Sequence, residues 1–348
     1  MVRRGRGRGA NVIRTGLIGY GYWGPNLARN FAEAPRTELV AVSDLDEERL
    51  QLAASRYPAV TTTTDHKALF SDPEIDAVAI VTPVSTHFDL ARQALAAGKH
   101  VFLEKPLTET SEQGAELVAA AERAGRILHV DHTFVYSGAV RKIKEIVDAG
   151  ELGDLYYFDS VRVNLGLIQA DVNVIWDLAV HDLSILNYIF PIEPTAVSAT
   201  GMEHVEGRPA TIAYLTLFYE TRAIAHVYVN WLSPLKIRRT LIGASRKMIV
   251  YDDLEPSEKI KVYDKGVAIG ETKESIYDTM VSYRSGDMYA PHLDLSEALR
   301  TEVDHFARCI EDGEEQLTSG AAGLRVVRIL EAATESLNQR GVPVELAR

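Results

Sequence analysis

The chain has 348 residues and a formal net charge of −12, with 46% hydrophobic and 25% charged residues, the proportions of a globular protein long enough for two domains. No apolar run approaches the roughly 20 residues of a membrane span, and the acidic balance argues against a nucleic-acid partner. Cys309 is the one cysteine, which excludes an intrachain disulfide and a multi-cysteine zinc site and fits a reducing, cytoplasmic setting.

Residues 1–14 read as a disordered basic tail, with Arg3, Arg4, Arg6 and Arg8 spaced by glycines and without the apolar stretch of a secretory signal. From Thr15 to about His132, short β-branched runs (Thr15 to Gly19, Leu39 to Ser43, Ala77 to Thr82, His100 to Leu103, Ile127 to Asp131) alternate with helical stretches such as Ser111 to Ala124. This rhythm predicts an α/β domain over 15–133, a parallel sheet covered by helices that binds ligands at the carboxyl ends of its strands. Past Ser137 the rhythm changes. A helix from Gly138 to Ala149 precedes strands in series at Leu155 to Val163, Ala196 to Gly201, Thr211 to Tyr219, Ala223 to Trp231 and Arg239 to Gly243. They predict an α+β domain over 134–348 with a mostly antiparallel sheet. A long helix from about Val174 to Tyr188, stopped by Pro191, interrupts them, and helices at Leu295 to Ile310 and Ala321 to Gln339 follow. The apolar spacing around Cys309 marks a core thiol.

The first strand runs into Gly19-Tyr20-Gly21-Tyr22-Trp23-Gly24 and then a helix. Glycines in this context permit a tight turn, close approach of a pyrophosphate and close helix packing, while the helix N-terminus offers free N–H groups. Asp44 ends the second strand, 20 residues after Gly24; it either accepts both hydroxyls of an adenosine ribose, which selects NAD over NADP, or caps the next helix. Asp177 and His181 are four apart on one predicted helix and share a face. His129, Asp131 and His132 lack the spacing of a ligand set, so no metal is expected.

Farther along stand Thr82-Pro83-Val84-Ser85-Thr86-His87, then Glu104-Lys105-Pro106 at the end of the fifth strand, and Trp176-Asp177-Leu178-Ala179-Val180-His181-Asp182. With these motifs the sequence resembles the glucose-fructose oxidoreductase / inositol dehydrogenase / MocA family over nearly its whole length. The resemblance implies a Rossmann domain carrying NAD(P), then an open-sheet domain that walls the substrate and often joins copies of the chain into a homodimer or homotetramer. It also implies that Lys105, Asp177 and His181 are catalytic. Oxidising a carbinol requires a base and a cationic or hydrogen-bonding group at the hydroxyl oxygen; His181 is then the base, with Asp177 orienting it and Lys105 supplying the cation. Gly19, Gly21, Tyr22, Trp23, Gly24, Asp44, Thr82, Pro83, His87, Glu104 and Lys105 would line the cofactor. His132 and Tyr136 would stand where the chain crosses into the second domain.

Within the family, the runs Gly19 to Asn26, Val161 to Gly166 and Trp176 to Ser184 are similar to dehydrogenases that oxidise C3 of UDP-N-acetylglucosamine or its uronate, with Val180 where that branch often has Pro. On this reading Arg162, Asn164, Trp176, Lys105 and His181 contact substrate. Lys236, Arg238 and Arg239 either hold its diphosphate or form the solvated face of a strand. Two alternatives stand beside it: an inositol or monosaccharide dehydrogenase of the same family, and a catalytically silent NAD-sensing interaction protein.

Overall fold

The computed structural model describes residues 12–166, 172–190, 192–264, 266–268, 282–284 and 286–346; Arg3, Arg4, Arg6, Arg8 and Pro191 lie outside them, whereas Ile13 and Arg14, expected in the tail, belong to the first strand. Two compact units result, Met1–Tyr136 with Ser296–Val327, and Ser137–Leu295 with Arg328–Arg348. The second unit is thus not the contiguous stretch 134–348, because Ser296–Val327 belongs to the first unit.

The first unit is a six-stranded parallel sheet built from β1 (Ile13–Ile18), β2 (Thr37–Ser43), β3 (Thr61–Thr63), β4 (Ala77–Ile80), β5 (His100–Glu104) and β6 (Leu128–Asp131), in the order β3-β2-β1-β4-β5-β6. Helices α1 (Gly24–Glu33), α2 (Glu47–Arg56), α3 (Lys67–Ser71), α4 (His87–Ala96) and α5 (Ser111–Ala124) connect the strands. The strand order reverses between β1 and β4, the place where doubly wound sheets bind ligands. Local chemistry fixes the helix ends: Asp46 caps α2 through the N–H groups of Glu48 and Arg49, Thr110 caps α5, and Gly125 closes α5 at φ 60°. The core is Leu17, Leu27, Val42, Val303 and three rings, with Phe102 edge-on to Phe31 at 5.4 Å and to Phe306 at 5.5 Å. Phe306 comes from α8 (Ala298–Glu311), in the returning segment, and Cys309 is buried on the same helix.

In the second unit, α6 (Gly138–Asp148) leads to β7 (Leu155–Leu165), then a π-helical turn (Ile175–Ala179) continues into α7 (Val180–Ile189). Strands β8 (Ala196–Met202), β9 (Ile212–Phe218), β10 (Ile224–Asn230), β11 (Leu232–Ala244), β12 (Met248–Asp252) and β13 (Ile260–Tyr263) follow. A small pair, β14 (Gly266–Ala268) and β15 (Ser282–Arg284), stands apart; β16 (Met288–Tyr289) and β17 (Val344–Glu345) complete the nine-stranded sheet β16-β13-β12-β11-β7-β10-β9-β8-β17. All pairs in it are antiparallel except β7 with β10. Alternation is clean: Ala213, Leu215, Leu217, Ala225, Val227 and Val229 are buried, while Tyr214, Phe218 and Ile224 on the other face are exposed. Helix α9 (Gly320–Asn338) closes the chain before β17. Among the described residues no helix is long and apolar enough to cross a membrane.

Candidate active site

Five strand ends of the first unit place chemistry on one edge of its sheet: Gly19 after β1, Asp44 after β2, Thr82 and Pro83 after β4, Glu104 and Lys105 at β5, and Asp131 and His132 at β6. The glycines divide the labour. A Cβ on Gly19, whose φ is 97°, would stand 2.4 Å from the Val81 carbonyl oxygen, and one on Gly24 would stand 2.4 Å from that of Gly19. Both are therefore held against backbone. Gly21 differs, because a Cβ there would meet only Arg49 Nη1 at 3.6 Å, leaving the middle glycine open for close approach of a pyrophosphate. The turn thus fits a dinucleotide.

Asp44 is buried beside this turn. Its Oδ2 accepts the Tyr20 N–H at 2.6 Å, its Oδ1 accepts that of Asp46 at 2.9 Å, and Arg49 Nη1 lies 3.7 Å from Oδ2. Since Asp46 caps α2, Asp44 is not the helix cap and stands against the glycine turn. Within that turn Tyr22 is 93% exposed, while the Trp23 indole N–H donates to Asp131 Oδ2 at 3.2 Å. After β4, Thr82 and Thr86 hydroxyls pair at 2.6 Å.

His87 is corrected by the structure. Its ring is enclosed, 1% exposed, with Nδ1 at 2.9 Å from the Pro106 carbonyl and Nε2 at 2.9 Å from that of Thr82. Instead of lining the cofactor it ties the end of β4 to the Lys105–Pro106 segment, whose peptide bond is cis. Burial lowers its basicity, against the pull of those carbonyls. His132 is also buried, with neither ring nitrogen hydrogen-bonded, and burial pushes its pKa down to about 4. Two orphaned nitrogens at a strand end are a further place where a bound group fits. A separate cavity of about 900 Å³, lined by Val12, Ile75, Lys99, His100 and Arg126 among others, is at the opposite end of the sheet.

In the second unit, Asn173 accepts the N–H groups of Ile175 and Trp176 and starts the π-helical turn that carries Trp176 and Asp177. Trp176 donates its indole N–H to Thr334 at 2.9 Å, and Trp231 donates to Asp177 Oδ2 at 2.9 Å. The anchoring of Asp177 by Trp231 is invisible to spacing arguments, since 54 residues separate them. His181 stands in the first turn of α7, half-buried, its carbonyl accepting the Ser184 hydroxyl. The expected role of Arg162 is also corrected. Its Nε and Nη2 donate to both oxygens of Asp182, at 2.6 and 3.2 Å, and Arg162 is only 3% exposed. A buried bidentate pair occupies it, with Ser160 donating to Asp182 as well. Asn164 is half-buried on the same strand. Arg238 pairs with Asp253, whereas Lys236 and Arg239 are exposed.

Residues 13–132 match the family described as "Oxidoreductase family, NAD-binding Rossmann fold", and residues 144–346 match "Oxidoreductase family, C-terminal alpha/beta domain". The oxidoreductase YdgJ of Escherichia coli (strain K12) is 34% identical over 262 residues, 71% of this chain and 73% of that protein. The scyllo-inositol 2-dehydrogenase (NAD(+)) of Bacillus subtilis (strain 168) is 27% identical over 96% of both chains. UDP-N-acetylglucosamine 3-dehydrogenase of Acidithiobacillus ferrooxidans is 27% identical over 94% of this chain and 99% of that one. A solved structure of the last, GnnA, has a TM-score of 0.80 at 25% identity, covering 94% of this chain and 98% of its own.

Proposed function

The chain belongs to the Gfo/Idh/MocA family of NAD-binding oxidoreductases, and from that premise we propose that it oxidises a secondary hydroxyl of a sugar or polyol, foremost C3 of a UDP-N-acetylglucosamine-type nucleotide sugar. The observation that carries the reading is Lys105 at the carboxyl end of β5, on the sheet edge that also bears the open Gly21 and Asp44. NAD, when bound, supplies the hydride acceptor. Gly19, Gly21 and Gly24 would admit its pyrophosphate and Asp44 its adenosine ribose. The ammonium of Lys105 stabilises negative charge as it grows on the substrate oxygen, and His181 takes the hydroxyl proton. Asp177, held by Trp231, favours the imidazolium form that His181 then assumes.

Lys236 and Arg239, exposed on β11, favour the nucleotide sugar over a neutral ring because a diphosphate needs local cations on an acidic protein. The equally similar inositol dehydrogenase makes a polyol the second reading. The uncovered sheet face, with Tyr214 and Tyr228 stacked at 4.5 Å beside exposed Phe218 and Ile224, is proposed to join copies of the chain; a monomer mass in light scattering at micromolar concentration would remove that proposal.

A screen of UDP-N-acetylglucosamine, its uronate, glucose and inositols tests the reading. NADH absorbance and mass-spectrometric loss of two hydrogens are the readouts, with a 2-oxo acid included as an acceptor for tightly held hydride. Lys105→Ala and His181→Ala should each lower turnover about 10²–10⁴-fold with unchanged circular dichroism. Strong activity with both residues replaced would place the chemistry elsewhere.

A further inference from the structure

Three carboxyl groups of the first unit meet in its interior. Glu104 and Asp131 are register partners on β5 and β6, and Glu302 comes from α8. Asp131 lies within hydrogen-bonding reach of both glutamates. It also accepts from the Trp23 indole N–H through Oδ2 and from the Thr133 hydroxyl through Oδ1. Each glutamate has a donor at one oxygen only, the Lys105 backbone N–H at Glu104 and the Thr133 hydroxyl or His129 at Glu302. Oε2 of Glu104 and Oε2 of Glu302 are both buried without a hydrogen-bond partner, while Oε1 of Glu302 faces His129 Nε2 at 3.1 Å.

Two carboxylates cannot share a dry contact as anions, and a buried oxygen without a donor is costly unless the group carries its own hydrogen. A carboxylate accepts about four hydrogen bonds. Trp23 and Thr133 fill two of the places on Asp131, which leaves two for the O–H groups of protonated Glu104 and Glu302. We propose that Glu104, Asp131 and Glu302 are a proton-sharing trio, two acids donating to one carboxylate, whose task is to hold the glycine-turn residue Trp23 and the strand end bearing Lys105 in their cofactor-binding positions. The glutamates are positioning residues, and the inference rests on the NAD-binding reading of that sheet edge.

The surroundings agree. Burial first, and then the Asp131 charge, raise both glutamates well above the ordinary carboxylic range, with Lys105 opposing at Glu104 and Thr133 at Glu302. The other titratable groups here, His129 and His132, are buried and held in their neutral form. They add no cation to that of Lys105, and one cation does not offset three anions.

Infrared spectra of the full-length protein at neutral pH should show the C=O stretch of protonated carboxylic acids, weakened in Glu104→Gln and again in Glu302→Gln. Calorimetric titration with NAD, which needs no substrate, supplies the second readout. Glu302→Ala should weaken binding about tenfold, the loss of one hydrogen bond to a charged acceptor. Glu302→Gln, whose amide N–H donates where the acid did, should restore it to within about threefold. Wild-type affinity should decline with rising alkaline pH, less so in Glu302→Gln. No acid band in the wild type, or a band that neither substitution alters, overturns the trio even if a variant fails to fold. Gln behaving like Ala overturns it too. A trio confirmed in a protein that turns over none of the screened alcohols would leave the positioning intact and refute only the substrate reading.

Discussion

Asp44 receives one backbone N–H on each carboxylate oxygen, which fixes its plane while leaving lone pairs for a pair of vicinal hydroxyls. Its negative charge repels a 2′-phosphate. Isothermal titration should therefore show NAD bound more tightly than NADP. Asp44→Ala should weaken NAD by roughly 10–100-fold, the worth of a charge-assisted hydrogen bond of about 1.5–3 kcal/mol. Equal affinity for the two cofactors in the wild type would refute this role. Arg162 calls for a different outcome. Removing one partner of a buried ion pair costs about 3–5 kcal/mol, so Arg162→Met should be strongly destabilised in urea while KM stays near the wild-type value. An intact stability with a raised KM would return Arg162 to substrate binding. The glycine turn, Asp44 and Lys105 were legible in the sequence because each is set by a short motif at a strand end. The partner of Arg162 was not, since Asp182 lies 20 residues away on a helix whose register no local pattern reveals.

The helix bearing Asp177 and His181 shows where pattern reading stops. A spacing of four implies one continuous α-helical face, yet Ile175–Ala179 is a π-helical turn and only Val180–Ile189 is α-helix. A π turn accommodates an extra residue and interrupts regular stacking, a feature common at functional sites. Nothing in the sequence marks it, because its hydrogen bonds depend on the Asn173 cap and on Trp231, which reaches Asp177 from β10's end. Trp231→Phe keeps the ring and removes the donor. It should cost about 1.5–3 kcal/mol in denaturant unfolding and lower kcat more than it raises KM, since the lost bond orients Asp177. A variant with full kcat would show that the indole N–H merely packs.

On the scale of the whole chain, buried titratable groups should give stability a maximum near pH 6.5, the ordinary histidine value. Burial depresses His87, His100, His129 and His132, two of them to about 4. Below pH 6.5 the unfolded chain therefore binds protons that the folded one refuses. Stability present above that pH is lost on acidification, by up to ~1.4 kcal/mol per pH unit for each histidine. Glu104 and Glu302, raised by burial, act in the opposite sense. Folded, they keep protons that the unfolded chain has released, so they subtract stability as pH rises. Among the described residues these four histidines outnumber these two glutamates, so the acid side is governed by the histidines and the alkaline side by the glutamates. Scanning calorimetry between about pH 5 and 9 checks this; a melting temperature that climbs throughout would contradict it.

The returning segment Ser296–Val327 was also beyond sequence reading, because helical periodicity shows that α8 has an apolar face without telling which core receives it. Phe306 packs with Phe31 and Phe102, and Glu302 joins residues of β5 and β6, so the first unit is assembled from two separate stretches of its gene. Recombination between relatives bears the consequence. A single crossover near codon 137 would pair one parent's Phe31 and Phe102 with the other's Phe306, mixing two halves of one interior. Inheritance of the first unit as a matched whole requires two more exchanges, near codons 296 and 327, which makes the pairing of the two units hard to reshuffle.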